Sequence, residues 1–217
     1  MKLITTHPLN RREFTRLASV GSLGMGLFST LGKAQEGSPR FPDNIKELET
    51  DQTMVYAIWR LVGTMYYFDP IGVYIEPGET VGFVIPMRTS SRTPTITAYH
   101  PDNDNHELRI PENAKPFDSG ETLPDPTKPA FSWTFEVEGT YDYFSKYNEW
   151  LGMVGRVVVG RPGGPGEKPW GYGNKEGRRP IPPAVLKRVN LLDSQEIVGK
   201  KAVAFPFEEF HTPYPLW

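Results

Sequence analysis

The chain has 217 residues, enough for one medium domain plus extensions, and a formal net charge of −2. It contains no cysteine, which excludes disulfides, zinc-thiolate sites, iron–sulfur clusters and a nucleophilic thiol. With 21 Gly, 22 Pro and 12% aromatic residues, it has the turns and aromatic packing of a β-rich domain rather than a helical one.

Residues 1–34 read as an export signal. "NRREFTRL" (10–17) carries the pair Arg11–Arg12, "ASVGSLGMGLFSTLG" (18–32) is weakly apolar, and "GKA" (32–34) supplies small residues for cleavage after Ala34. The pattern is that of a twin-arginine signal, which exports folded proteins, and the expected location is the periplasm or another exported compartment. The apolar run is short against the ~20 residues of a membrane span, so an integral membrane protein is not expected. Removing residues 1–34 takes away five basic residues and one acid and moves the charge from −2 to −6. An acidic exported chain is not a nucleic-acid binder.

Residues 35–53 are a polar lead-in. From 54 to 160 the signals are those of strands and turns. "AIWRLVGTMYYF" (57–68) is apolar and aromatic. "VYIEPGETVGFVI" (73–85) reads as strand, Pro77–Gly78 turn, strand. "TPTITAYH" (93–100) alternates toward His100, residues 101–130 form a long polar connection, and "FSWTFEVE" (131–138) alternates as a half-buried strand. "GTYDYF" (139–144) and "GRVVVG" (155–160) complete the set. This spacing of about seven or eight short strands predicts an all-β Greek-key sandwich or barrel. Beyond it, residues 161–217 are a Pro/Gly-rich extension: a linker or surface-wrapping arm, a short apolar segment at 183–199 and an aromatic tail at 204–217 that is expected to pack on a surface.

The succession "YFDPIGVYIEPGETVGFVI", "ITAYHPDN", "FEVEGTYDYF" and "GMVGRVVVG" resembles the plastocyanin/azurin type of blue copper protein, the cupredoxin family, over roughly residues 55–160. That family holds one copper with two histidines, a cysteine thiolate and a weak axial methionine. The resemblance puts the first histidine on His100, the cysteine on Ser145, the second histidine on Asn148 and the methionine on Met153. Two of the four ligands are therefore absent. A serine hydroxyl is neutral at pH 7 and an amide oxygen is a weak donor, so the type 1 centre, which depends on a copper–thiolate bond, is not available to this chain.

Other chemistry is thinner. "YHPDNDNHELRIP" (99–111) offers His100, Asp102, Asp104, His106 and Glu107, a donor set for a type 2 copper or zinc site, or a polar turn in which Asp and Asn cap the backbone. It lacks the glycine and distal glutamate of a calcium loop. Met153 is either a ligand or a filler of the sandwich end. His211 lies in the aromatic tail, where it is a surface residue or closes over the site. Asp142 and Glu149 flank the 145–153 loop as acids expected to be solvated, and no nucleophile elbow, triad spacing or phosphate loop marks an enzyme. The reading is a copper-free binding module or accessory subunit of a periplasmic redox system, with a redox protein or larger complex as partner, its vacated site and aromatic tail serving as contact surface. The alternative is a copper-binding electron-transfer or copper-handling protein with a non-type-1 site built on His100 and Met153, with His106 as a further donor.

Overall fold

The computed structural model describes residues 48, 50–60, 65–87, 92–173 and 177–210. The export-signal segment and His211 lie outside them. The chain divides after Ser38, and all that follows concerns the second unit, Pro39–Trp217.

Among the described residues nine strands build two mixed sheets: β1 (Thr53–Arg60), β2 (Met65–Asp69), β3 (Gly72–Ile75), β4 (Thr80–Val84), β5 (Thr97–Ala98), β6 (Phe131–Thr134), β7 (Gly139–Phe144), β8 (Val154–Val159) and β9 (Ala202–Val203). One sheet has the order β2-β1-β4-β6, the other β5-β7-β8-β3-β9. Within them β1–β4 and β3–β8 pair in parallel and the remaining pairs are antiparallel. The result is the expected all-β sandwich. The apolar stretch at 57–68 divides into two antiparallel strands, β1 and β2, with Trp59 opposite Tyr66. The strand–turn–strand at 73–85 is present, but β3 and β4 belong to different sheets, so Pro77–Gly78 turns the chain from one layer to the other instead of closing a hairpin.

Between the sheets lies one apolar core, to which β1 gives Val55 and Ala57, β4 gives Val81 and Phe83, β7 gives Tyr141 and Tyr143, and β8 gives Val157 and Val159. Period-two alternation sends their neighbours to the opposite face: Thr140, Asp142 and Phe144 from β7, and Val154, Arg156 and Val158 from β8. Those neighbours are also buried, so neither strand has a solvent-exposed face. Gly155 faces Tyr143 in the β7–β8 register, and a Cβ there would lie 2.4 Å from the Tyr143 ring, so only glycine lets the aromatic ring lie flat across the sheet.

What covers the second face is the C-terminal extension. Its helices α1 (Pro183–Leu186), α2 (Ser194–Lys200) and α3 (Phe207–Phe210) and the short β9 lay Ile181, Val185, Leu192, Ile197, Val203 and Phe205 into a second apolar cluster with Phe144, Val154 and Val158. β9 pairs antiparallel with β3 and becomes the edge strand of its sheet. The Phe205 ring stacks on Tyr67 at 4.4 Å. The extension is thus a packed layer of the same unit. Of its aromatic residues, Phe205 lies in that cluster and Phe207 and Phe210 pack against it.

Candidate functional site

The loop from β7 to β8 is closed by its own backbone. The Ser145 N–H donates to Met153 O at 3.1 Å, the Met153 N–H returns to Asn148 O at 3.1 Å, and the Asn148 and Glu149 N–H groups donate to Ser145 O at 3.0 and 2.8 Å. A 3-10 turn, Glu149–Leu151, ends at Gly152 with φ 85°, a left-handed conformation that glycine adopts without strain. Ser145 and Asn148 are buried and linked to each other: the hydroxyl donates to Asn148 Oδ1 at 3.1 Å and accepts the Thr95 N–H at 3.2 Å. Met153 is fully buried in the core between the sheets.

His100 is not brought to this loop. In the antiparallel register Thr97 lies opposite Phe144 and Ala98 opposite Tyr143, and the Tyr99 N–H donates to Asp142 O. His100 therefore lies beyond the last residue bonded to β7, on the side away from Ser145. Its Nδ1 accepts the Asp102 N–H at 3.1 Å. A pair of His100 with Met153 is not formed, because the strand carries the histidine away from the loop.

His106 goes elsewhere again. It is completely buried, edge-on to Tyr99 at 4.9 Å and to Phe144 at 4.6 Å between ring centroids. Its Nε2 stands 3.3 Å from Glu149 Oε2. Among the described residues no group of three or more His, Cys, Asp or Glu side chains converges on one point, so the donors of the 99–111 segment do not assemble. The residues present do not fit a type 1 copper: the thiolate position is a hydroxyl, the histidine position an amide, and the two satisfy each other.

Asp142 and Glu149 are the correction with the largest consequence. Both are expected to be solvated, and both are fully buried. Asp142 sits between two guanidinium groups: Arg109 Nε at 2.7 Å from Oδ2, Arg156 Nε at 2.7 Å from Oδ1. Arg109 also pairs with Glu107 at 3.0 Å and donates to Gly166 O and Lys168 O, while its guanidinium lies 3.9 Å from the centroid of the Trp170 ring. Arg156 donates to Gly166 O, Leu192 O and Ser194 Oγ. Burial works against the Arg156 charge, but Asp142 outweighs it and holds the guanidinium above its usual pKa. These charges clasp the C-terminal extension to β7 and β8.

Glu149 is held from three sides. Tyr99 Oη donates to Oε1 at 2.8 Å, Arg179 Nη2 lies 3.1 Å from Oε2, and His106 closes the remaining side. Burial first, and then the Glu149 charge, push the Tyr99 phenol well above its usual range, so it stays protonated at neutral pH. Arg188 on the extension supplies the last fixed point, donating to Gly152 O at 2.6 Å and Tyr66 O at 2.8 Å. Burial without a carboxylate partner lowers its pKa to about 10. Sequence reading passed over Tyr99, Arg109, Arg156 and Arg188 and took Glu149 for a solvated acid. The available signal was Asp142 and Arg156 at outward-facing positions of strands with no other polar residue on that face than a threonine.

No protein-family model and no curated protein matches the sequence. Among solved structures the chain is similar to pseudoazurin from Methylobacterium extorquens AM1, at 22% identity over 67% of this chain and 99% of that one, with a TM-score of 0.45. It is also similar to pseudoazurin from Hyphomicrobium denitrificans (23%, 51% of this chain and 77% of that one, TM-score 0.38) and amicyanin from Paracoccus versutus (22%, 52% and 86%, TM-score 0.35). These are likenesses of fold, and the roles of the residues in this site rest on the geometry above.

Proposed function

We propose that the chain is an exported, copper-free, cupredoxin-like binding module that serves as an accessory subunit in a periplasmic redox system. One observation carries the reading. Ser145, where the resemblance places a thiolate, donates to Asn148, where it places an imidazole, and accepts the Thr95 N–H, so the loop keeps its shape without a metal. Arg188 reinforces it by pinning Gly152 O from the extension. Export is read from the twin-arginine pattern of residues 10–34. No helix among the described residues is long and apolar enough to cross a membrane.

The contact surface is the end of the sandwich formed by this loop. Trp150 is 66% exposed on the 3-10 turn and Leu186 is 46% exposed on α1, which packs against that turn. Large apolar side chains left in water on two elements in contact mark a candidate protein-contact surface.

The test is a titration of the full chain with Cu(II) and Cu(I), followed by calorimetry and electron paramagnetic resonance. The expected result is no uptake beyond that of a denatured control. One copper bound at micromolar affinity or better and lost in His100→Ala overturns the reading.

A further inference from the structure

We infer that Tyr99 is a one-electron redox group, with Glu149 as its proton acceptor and Trp170 as the route to the surface. The inference goes beyond the binding role and does not depend on it. Its first support is the hydrogen bond itself. Tyr99 is fully buried, and its hydroxyl donates to Glu149 Oε1 at 2.8 Å. A phenol that loses an electron becomes a strong acid, and in a low-dielectric site it gives up the electron only where a base stands within reach of the proton. A buried carboxylate in hydrogen-bond contact is such a base.

The fold contains its own contrast. Tyr143 is as deeply buried, but its hydroxyl has no hydrogen-bond partner. Loss of an electron there would leave an unrelieved charge in the apolar core, so Tyr143 is a poor electron donor although it is the same residue type. Tyr99 differs from it first in what its oxygen faces.

The second support is the surrounding of the ring. Trp170, half-buried on the extension, meets Tyr99 edge-on at 5.3 Å between centroids. The Arg109 guanidinium lies 3.9 Å from the centroid of the indole ring. A cation against that face disfavours a lasting positive charge on the indole, so the oxidised state rests on Tyr99 rather than on Trp170. Arg179 and His106 stand 3.1 and 3.3 Å from Oε2 of Glu149 without hydrogen-bond geometry, and Oε1 accepts the phenol. His106 has both ring nitrogens buried and without a hydrogen-bond partner, an arrangement that its packing against Tyr99 and Phe144 does not by itself require.

The step balances as follows. One electron leaves the Tyr99 ring through Trp170 to an external one-electron acceptor. The phenolic O–H bond breaks, the proton moves to Glu149 Oε1, and a neutral phenoxyl radical faces a neutral carboxylic acid. An electron from a one-electron donor and return of the same proton restore the pair.

The experiment uses the full chain with a chelator present, so that the outcome of the copper titration has no bearing on it. Photogenerated tris(bipyridine)ruthenium(III) is the oxidant, and the radical is read by electron paramagnetic resonance and transient absorption. The expected result is a tyrosine-type radical that is lost in Tyr99→Phe, retained in Tyr143→Phe, and formed more slowly in heavy water. In Glu149→Gln the formation rate falls about 10²-fold, the scale of a removed general base, and the solvent isotope effect disappears. A radical that survives Tyr99→Phe, or a rate indifferent to Glu149→Gln, overturns the assignment. If either variant fails to fold, Trp170→Phe leaves the hydrogen bond in place and must slow radical formation; an unchanged rate overturns the route.

Discussion

The two faces of the sheet β5-β7-β8-β3-β9 are buried by opposite chemistry. The inward face meets the other sheet through Tyr141, Tyr143, Val157 and Val159, with hardly a polar group. The outward face carries Asp142 and Arg156 side by side among Phe144, Val154 and Val158. An apolar face holds together by area and dispersion, and it yields gradually when a methyl group is removed. A face with buried charges does not yield gradually, because each ion is tolerable only while its partner is present. The C-terminal extension contributes to the second face the carbonyls of Gly166, Lys168 and Leu192 that the two guanidinium groups need. The extension is therefore required by the charges beneath it, which is why it is a layer of the fold and not a tail.

The sharpest way to break this comparison is Asp142→Asn. It leaves Arg109 and Arg156 buried without their shared carboxylate, and the expected loss is about 3–5 kcal/mol of stability, measured by urea denaturation. The matched change on the inward face is Ile75→Val, expected to cost about 0.5–1.5 kcal/mol. If the two variants differ by less than about 1 kcal/mol, the charged face is not the discontinuous one and the contrast fails.

How much of this was legible in the sequence follows the same division. Alternation and turn signals placed the strands from 73 to 160, and the order of segments indicated the cupredoxin-like sandwich, because the inward face obeys period-two patterning. The short edge strand β9 was not legible, since two residues, Ala202–Val203, pair only because α2 delivers them to β3. In the loop, the mutual bond of Ser145 and Asn148 was within reach of the spacing. The position of His100 was not: it depends on the β5–β7 register, which a two-residue strand does not reveal. Asp142 and Glu149 were misread for a physical reason. An acid in a local window looks solvated, and only partners distant in sequence, Arg156 and Arg179, make its burial affordable.

Arg188 tests the point where the extension meets the loop. Its guanidinium has two backbone carbonyls, Gly152 O and Tyr66 O, and the faces of Phe205 and Phe210 around it. Arg188→Ala removes a buried cation together with its hydrogen bond to Gly152 O, and leaves both carbonyls to find water. The expected cost is about 1–3 kcal/mol, less than that of Asp142→Asn because no opposite charge is stranded. Hydrogen exchange should show the loss of protection concentrated in residues 145–153 and 183–188. A loss spread evenly over both sheets would mean that Arg188 supports general packing rather than the loop.

The smallest effect is expected where charges are paired but wet. Lys146 Nζ reaches Asp118 Oδ2 at 2.6 Å, and both side chains keep more than a quarter of their exposure. Burial raises the Asp118 pKa, but hydrogen bonds from Lys146, Gly120 N–H and Thr97 outweigh it, and the net pKa lies below the usual 3.8. A carboxyl whose folded pKa is depressed contributes stability that is present above its unfolded pKa and is lost as the pH falls through the folded value. Solvent screening keeps that contribution to roughly 0.5–1 kcal/mol. Asp118→Asn should therefore lower stability slightly at pH 7 and leave it unchanged at the acid end, below the folded pKa, so that its curve of stability against pH is flatter than that of the natural protein. Equal losses at both ends would show that Asp118 acts through the Thr97 and Gly120 hydrogen bonds and not through its charge, and would place this exposed pair in the same class as the neutral contacts of the inward face.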